Sequence, residues 1–139
     1  MISTVISFPM PRSHRTDVGG FVYHVLNRAN ARSKIFRFDL DYAAFEKVLR
    51  QGSKRIGMRI LSYCLMPNHW HLVLWPKKNG DLSRFMAWVS MTHAQRWHKT
   101  RGDTGTGHLY QGRYKSSIIQ ADRHFLAVAR YVEGNALRA

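Results

Sequence analysis

The stretch Leu61-Ser-Tyr-Cys-Leu-Met-Pro-Asn-His-Trp-His-Leu-Val-Leu-Trp75 consists of two apolar runs separated by Pro67-Asn68. Proline lacks a backbone N–H and asparagine tolerates turn dihedrals, so the chain is predicted to reverse direction there. The flanking runs are rich in leucine, valine, tyrosine and tryptophan, which favours β-strands. Side chains two residues apart in a strand share a face, so His69 and His71 are predicted to point one way and Trp70 into the core. Two adjacent imidazoles on a strand are a natural metal-binding pair.

The composition predicts one globular and strongly basic domain. The chain has 139 residues, of which 45% are hydrophobic, and this suffices for a single core. Lysine and arginine number 22 against 8 aspartate and glutamate, which gives a net charge of +14. Such an excess is typical of a protein that binds nucleic acid. A membrane surface is the weaker alternative, because the basic residues are scattered rather than gathered on one amphipathic helix.

Residues 1–18 are predicted to be a flexible lead-in and residues 19–139 a single domain. Two prolines near the N-terminus interrupt the continuous apolar run that a signal peptide needs. No apolar run approaches the roughly 20 residues of a membrane span. The single cysteine, Cys64, lies in an apolar strand, which favours a buried structural thiol in a reducing compartment. These features predict a cytoplasmic protein.

Hydrophobic spacing predicts the element order β-α-β-β-α-β-α. Strands are predicted over 21–26, 58–66, 69–75 and 110–119, and helices over about 39–55, from 81 onward and over about 123–137. The second helix is followed by a basic, glycine-rich loop over 99–107 that is expected to be mobile. The first six elements make an α+β, ferredoxin-like fold, an antiparallel four-stranded sheet with both helices on one face. The strands that begin at 21 and 69 then lie in the middle, which puts the histidine pair on a rigid strand.

The His-x-His spacing alone favours a structural or exposed pair over a metal site, because the chain has eight histidines. The full run Leu65-Met-Pro-Asn-His-Trp-His-Leu-Val73, however, resembles the HUH motif of single-tyrosine transposases, and most of all that of the REP-associated tyrosine transposases. Three further blocks are similar to that family in the same order: Tyr23-His-Val-Leu-Asn-Arg28, Tyr110-Gln-Gly-Arg-Tyr-Lys-Ser116 and Ala129-Arg-Tyr-Val-Glu-Gly-Asn-Ala-Leu-Arg-Ala139. The resemblance covers about residues 19–139.

The resemblance implies a metal-dependent single-strand DNA endonuclease and strand-transferase that acts on hairpin or repeat DNA. His69 and His71 would hold Mg²⁺ or Mn²⁺, and Asn135 would add an oxygen ligand. Tyr131 would attack the scissile phosphodiester and form a 5′-phosphotyrosine link. Tyr131 and Asn135 are four residues apart, so they share one face of the predicted last helix.

The sequence departs from the family in its last block. Ala136 follows Asn135 where the family usually has proline, and the sequence ends at Ala139 where relatives continue through a basic tail. Members of the superfamily work as dimers or as monomers, and the sequence leaves both open, so a homodimer is one alternative.

Each candidate residue also has an ordinary structural alternative. Tyr131 can be an amphipathic-helix residue, and Asn135 can be a helix C-cap. His24, in the first family-like block, can be a core histidine satisfied by hydrogen bonds. The remaining candidates are rival tyrosines in strands and histidines predicted to pack or lie at the surface on the second helix: Tyr63, Tyr110, Tyr114, His93 and His98.

Basic side chains flank the strand ends near the proposed site and are predicted to contact DNA phosphates. They are Arg28, Arg32, Lys34, Arg113 and Lys115. Tyr110 and Tyr114 can stack on unpaired bases. For each basic residue, a solvated surface position is the alternative.

Two functions are therefore consistent with the sequence. The first is the transposase, which the joint presence of His69, His71, Tyr131 and Asn135 favours. The second is a non-catalytic, ferredoxin-like nucleic-acid-binding module, a decayed relative that keeps only the fold and the charge. Binding to single-stranded or hairpin DNA is common to both, whereas metal-dependent cleavage belongs only to the first.

Overall fold

The structure, a computed structural model, describes residues 16–31, 33–102 and 107–119. The elements in these ranges are β1 (Val22–Arg28), α1 (Asp39–Ile56), β2 (Arg59–Met66), β3 (His69–Trp75), α2 (Asp81–Arg101) and β4 (Lys115–Ile119). The predicted last helix, with Tyr131 and Asn135, lies outside the described residues, and so does Arg32. Neither described helix is long and apolar enough to cross a membrane.

The four strands form one antiparallel sheet in the order β2-β3-β1-β4. This confirms the predicted ferredoxin-like α+β fold and the central position of the strand that carries the histidine pair. Pro67-Asn68 joins β2 to β3, as predicted. Neighbouring segments hold this turn, because the carbonyl oxygen of Pro67 accepts a hydrogen bond from Ile35 N at 2.7 Å and that of Asn68 accepts one from Ala29 N at 2.8 Å.

Both helices pack on one face of the sheet, and the main hydrophobic core lies between them and the strands. Its largest fully buried side chains include Trp70, Phe45 and Phe85. Burial of each such side chain stabilises the fold by about 1.5–3 kcal/mol. Gly52 allows α1 to approach α2 closely, because a Cβ at this position would lie 3.1 Å from the ring of Phe85 and 3.2 Å from Val89.

The first helix ends close to the predicted residue, and the second ends later than predicted. α1 ends at Ile56, and Gly57 caps it with a φ of 78°, a left-handed conformation that glycine adopts without strain. α2 runs on to Arg101, into the segment predicted to be a loop. Arg101 explains the extra turn, because its guanidinium pairs with Asp41 of α1 at 2.9 Å and stacks on the ring of Trp97.

The last described strand is shorter than predicted, because β4 starts at Lys115 rather than near residue 110. Tyr110 makes only an isolated bridge with Ala29. The amide of Asn27 donates to the carbonyl oxygen of Gly112 at 3.2 Å. Residues 110–114 therefore wrap around the end of β1, which continues to Arg28 and is longer than predicted.

The face of the sheet turned away from both helices is named here the histidine face. Strand alternation and the pairing register place the following residues on it: His24, Leu26, Arg28, Cys64, Met66, His69, His71, Val73, Lys115, Ser117 and Ile119. Cys64 and Val73 are fully buried there and, with Ile119, form a second small core. Burial raises the pKa of the Cys64 thiol, in agreement with the predicted structural role.

Candidate active site

The histidine pair lies on the central strand β3 with both rings on the histidine face. The ring centroids of His69 and His71 are 5.2 Å apart, and the ring planes are nearly perpendicular at 85°. Trp70 between them is fully buried in the main core on the opposite face. The predicted orientation of all three side chains is therefore confirmed.

A third imidazole adjoins the pair. Nε2 of His24, on β1, lies 2.9 Å from Nδ1 of His71, and the two ring planes are nearly parallel, with an interplanar angle of 6°. Both side chains are buried, with 4% of His24 and 8% of His71 exposed. His24 is a buried, hydrogen-bonded histidine, which is the structural alternative that the sequence offered for it. Its partner, however, is His71, a residue of the candidate site. The sequence carries the family-like block around His24, yet only the strand register shows which residue it contacts.

The surroundings keep the paired rings neutral near pH 7. The pKa of His71 is lowered to about 4, mainly by burial and to a smaller extent by the neighbouring His24 and His69. Burial also lowers the pKa of His69, and the positive charge of Arg28 adds to this effect. Neutral imidazole is the form that ligates metals.

The two histidines can supply two nitrogen ligands of a metal site. Nδ1 of His69 is 2.8 Å from Oδ1 of Asn68, so a proton on Nδ1 would leave the Nε2 lone pair for a cation. Within residues 16–31, 33–102 and 107–119, no group of three or more histidine, cysteine, aspartate or glutamate residues is arranged to hold a metal ion. A complete site would therefore need oxygen ligands from elsewhere. The predicted third ligand, Asn135, lies outside the described residues.

Two of the predicted phosphate-binding residues lie on the histidine face, one next to the pair and one two strands away. Arg28 is directly opposite His69 in the β1–β3 register. Lys115 is opposite Leu26, which is itself opposite His71. Since neighbouring strands are about 4.8 Å apart, Lys115 lies about 10 Å from His71 along the sheet. Both basic side chains are exposed.

Two other predicted phosphate-binding residues are exposed at the same end of the sheet. Lys34 precedes the segment whose backbone donates to the carbonyl oxygen of Pro67. Arg113 lines an open groove of about 430 Å³ together with Met86 of α2. Lys34 lines another groove together with Tyr42 of α1. Because helix residues line both grooves, these two basic residues lie toward the helix side of the sheet rather than on the histidine face.

The five tyrosines in the described part of the chain are all on the helix side of the sheet. Tyr23 belongs to the main core, and three others pack against it. The hydroxyl of Tyr63 donates to Oε2 of Glu46, a residue of α1, at 2.6 Å. The full set is Tyr23, Tyr42, Tyr63, Tyr110 and Tyr114. None of them lies on the face that carries the histidine pair.

Tyr110 belongs to a buried polar network beneath β3 that the sequence did not predict. The indole N–H of Trp70 donates to the Tyr110 hydroxyl at 3.0 Å, and this hydroxyl also hydrogen-bonds Nδ1 of His93. Burial raises the pKa of Tyr110 and lowers that of His93 to about 3. Tyr110 is therefore a neutral structural link rather than a surface for base stacking. His93 is the packing residue that was predicted.

Comparisons with known proteins identify the family and agree with the observed fold. Residues 17–135 match the family described as IS200-like transposases. The structure is similar to that of a REP-associated tyrosine transposase bound to a REP hairpin, with a TM-score of 0.72 and 15% identity over 93% of this chain and 74% of that one. It is also similar to a protein of Deinococcus radiodurans R1 solved as a candidate transposase, with a TM-score of 0.61 and 19% identity over 89% of this chain and 97% of that one. The comparison with curated proteins finds no match.

Proposed function

Since the chain belongs to the IS200-like transposase family, we propose that it is a REP-associated, single-tyrosine transposase that cuts and rejoins single-stranded DNA. The observation that carries the proposal is the pair of neutral histidines on a central strand, bordered by Arg28 and Lys115 on the same face. The substrate would be a hairpin, because the similar REP-associated transposase was solved with one.

The metal ligands would be His69, His71 and Asn135. The two imidazoles are close together on a rigid strand, and an amide oxygen with DNA phosphate oxygens would complete a mixed site that suits Mg²⁺ or Mn²⁺. A bound divalent cation would polarise the scissile phosphodiester and offset the negative charge that develops on it. Arg28 and Lys115 would hold the flanking phosphates in place.

The nucleophile would be Tyr131. The sequence has six tyrosines, and the five that the structure describes have their side chains on the helix side of the sheet. The burial of Cys64, Val73 and Ile119 on the histidine face supports the proposal further, because both described helices pack on the other face. We expect residues after Ile119 to cover this small core and to bring Tyr131 to the histidines.

The proposed step is a transesterification that conserves the phosphodiester energy. Oη of Tyr131 would bond to the phosphorus while the bond from phosphorus to the 3′ oxygen breaks. The phenolic proton passes to solvent and the leaving 3′ oxygen takes up one, so a 3′-OH and a 5′-phosphotyrosine result. Attack by another 3′-OH on the phosphotyrosine reverses the step and joins new ends, without any oxidant or nucleotide cofactor.

The proposal is tested with a labelled library of single-stranded DNA hairpins, incubated with Mn²⁺ and run on a denaturing protein gel. Wild type should give a covalent DNA–protein band, and Tyr114→Phe, the matched control, should keep it. Tyr131→Phe, His69→Ala and added EDTA should each abolish it. If hairpins bind to wild type and no band forms with any of them, the non-catalytic binding module takes the place of the transposase.

A further inference from the structure

His24 adds a buried contact to the site that the His-x-His pattern does not contain. Its Nε2 and Nδ1 of His71 are 2.9 Å apart, and the ring centroids are 5.1 Å apart in nearly parallel planes. The register explains how they meet: His24 is opposite Val73 and His71 is opposite Leu26, so the two rings approach diagonally across paired strands. With both rings almost fully buried, water has little access to the contact.

The direction of this hydrogen bond decides what His71 can do. When both rings are neutral, one proton lies between the two nitrogen atoms. If Nδ1 of His71 carries that proton, its Nε2 keeps a lone pair and can ligate a cation. If Nε2 of His24 carries it, the proton of His71 is on Nε2, and that atom can no longer ligate.

We propose that His24 is a positioning residue that accepts a hydrogen bond from Nδ1–H of His71 and so holds His71 in the tautomer and orientation that present Nε2 to the metal. The inference rests on the proposed function, because it concerns the same metal site. Metal-binding histidines generally donate their second N–H to a carboxylate, a carbonyl or water. In this chain the acceptor would be the imidazole of His24, on the neighbouring strand β1.

Two substitutions in the full chain separate the acceptor atom from the bulk of the ring. His24→Gln retains an oxygen acceptor near the position of Nε2, whereas His24→Phe retains a ring without an acceptor. His98→Phe is the matched control, because it makes the same change on α2, on the other side of the sheet.

The first measurement is calorimetric titration of each purified protein with Mn²⁺ alone. His24→Phe should weaken Mn²⁺ binding by about 10–100-fold, the usual effect of removing the partner of a ligating histidine. His24→Gln should restore most of the affinity, and His98→Phe should match wild type. Unchanged affinity in His24→Phe, or equal losses in His24→Gln and His24→Phe, would overturn the proposal.

The second measurement is nitrogen-15 NMR of the metal-free proteins, which reports which ring nitrogen of His71 carries the proton. We expect Nδ1–H in wild type and in His24→Gln, and a shift toward Nε2–H in His24→Phe. An Nε2–H tautomer in wild type would refute the role of His24. This measurement does not depend on activity: if wild type forms no covalent adduct but shows the expected tautomers, the transposase proposal fails while the hydrogen bond assigned to His24 stands.

Discussion

At the residue scale, the hydroxyl of Tyr110 connects the polar network beneath β3. It accepts from the indole of Trp70 and contacts Nδ1 of His93 within the core. Tyr110→Phe leaves both partners buried without it, so we expect the free energy of unfolding in urea to fall by about 1–3 kcal/mol. Tyr63→Phe, which removes a more exposed hydroxyl, should cost less than about 1 kcal/mol. Equal losses in the two variants would contradict the network.

His93 makes the stability of the fold depend on pH. Burial, reinforced by Arg101 and opposed by Asp41, lowers its pKa from 6.5 to about 3. The unfolded chain therefore takes up a proton as the pH falls below 6.5, and the folded chain does not. The contribution is complete above pH 6.5 and is lost progressively toward pH 3, by about 2 kcal/mol at pH 5.

The pH effect is measured as the difference in unfolding free energy between pH 8 and pH 5. Wild type should lose about 2 kcal/mol more than His93→Gln, which has no titrating group at this position. His71 titrates in both proteins, so its contribution cancels. A loss of the same size in both proteins would show that His93 is not held neutral.

At the scale of elements, Gly52 sets the distance between α1 and α2. Valine is a better helix former than glycine, so helix propensity alone predicts that Gly52→Val stabilises. The close approach of Phe85 and Val89 predicts the opposite, a loss of about 1–3 kcal/mol from overpacking. Thermal or urea unfolding decides between them. Ala43→Val, on the exposed side of α1, changes helix propensity without overpacking and should cost only about 0.5 kcal/mol. A stabilised Gly52→Val would show that the helices can separate freely.

Local signals predicted most of these elements, and long-range contacts account for the rest. β3 was predicted to the residue, because Pro67-Asn68 and the apolar run mark both of its ends. β4 was predicted too long, because the pattern from residue 110 alternates like a strand although Tyr110 packs against the main core instead of joining the sheet. α2 was predicted too short, because the pairing of Arg101 with Asp41 joins residues 60 positions apart. Spacing within a segment does not carry this information.

The same distinction applies to the candidate site. Alternation along one strand was enough to place His69, His71 and Trp70. The contact of His24 with His71 depends on the register between β1 and β3, which the sequence does not state. The sequence indicates this contact only by placing a histidine on β1, a strand predicted to lie beside β3.

At the scale of the whole molecule, the net charge of +14 should make DNA binding strongly dependent on salt. Each phosphate contact to single-stranded DNA contributes about 0.7 to the slope of log K against log salt. Lys115→Gln should therefore lower the slope for hairpin binding by about that amount. Lys47→Gln, on the exposed side of α1, should leave it unchanged. Equal slopes for Lys115→Gln and wild type would remove Lys115 from the DNA-binding surface.

The central claim is that Tyr131 becomes linked to DNA beside the histidine pair, and peptide mass spectrometry of the covalent adduct tests it most directly. After nuclease and trypsin digestion, Tyr131 falls in the peptide Tyr131-Val-Glu-Gly-Asn-Ala-Leu-Arg138, which contains no other tyrosine. The account predicts a 5′-phosphonucleotide on this peptide, formed with Mn²⁺ and absent from His69→Ala. A nucleotide attached to a peptide that carries Tyr63, Tyr110 or Tyr114 would contradict it.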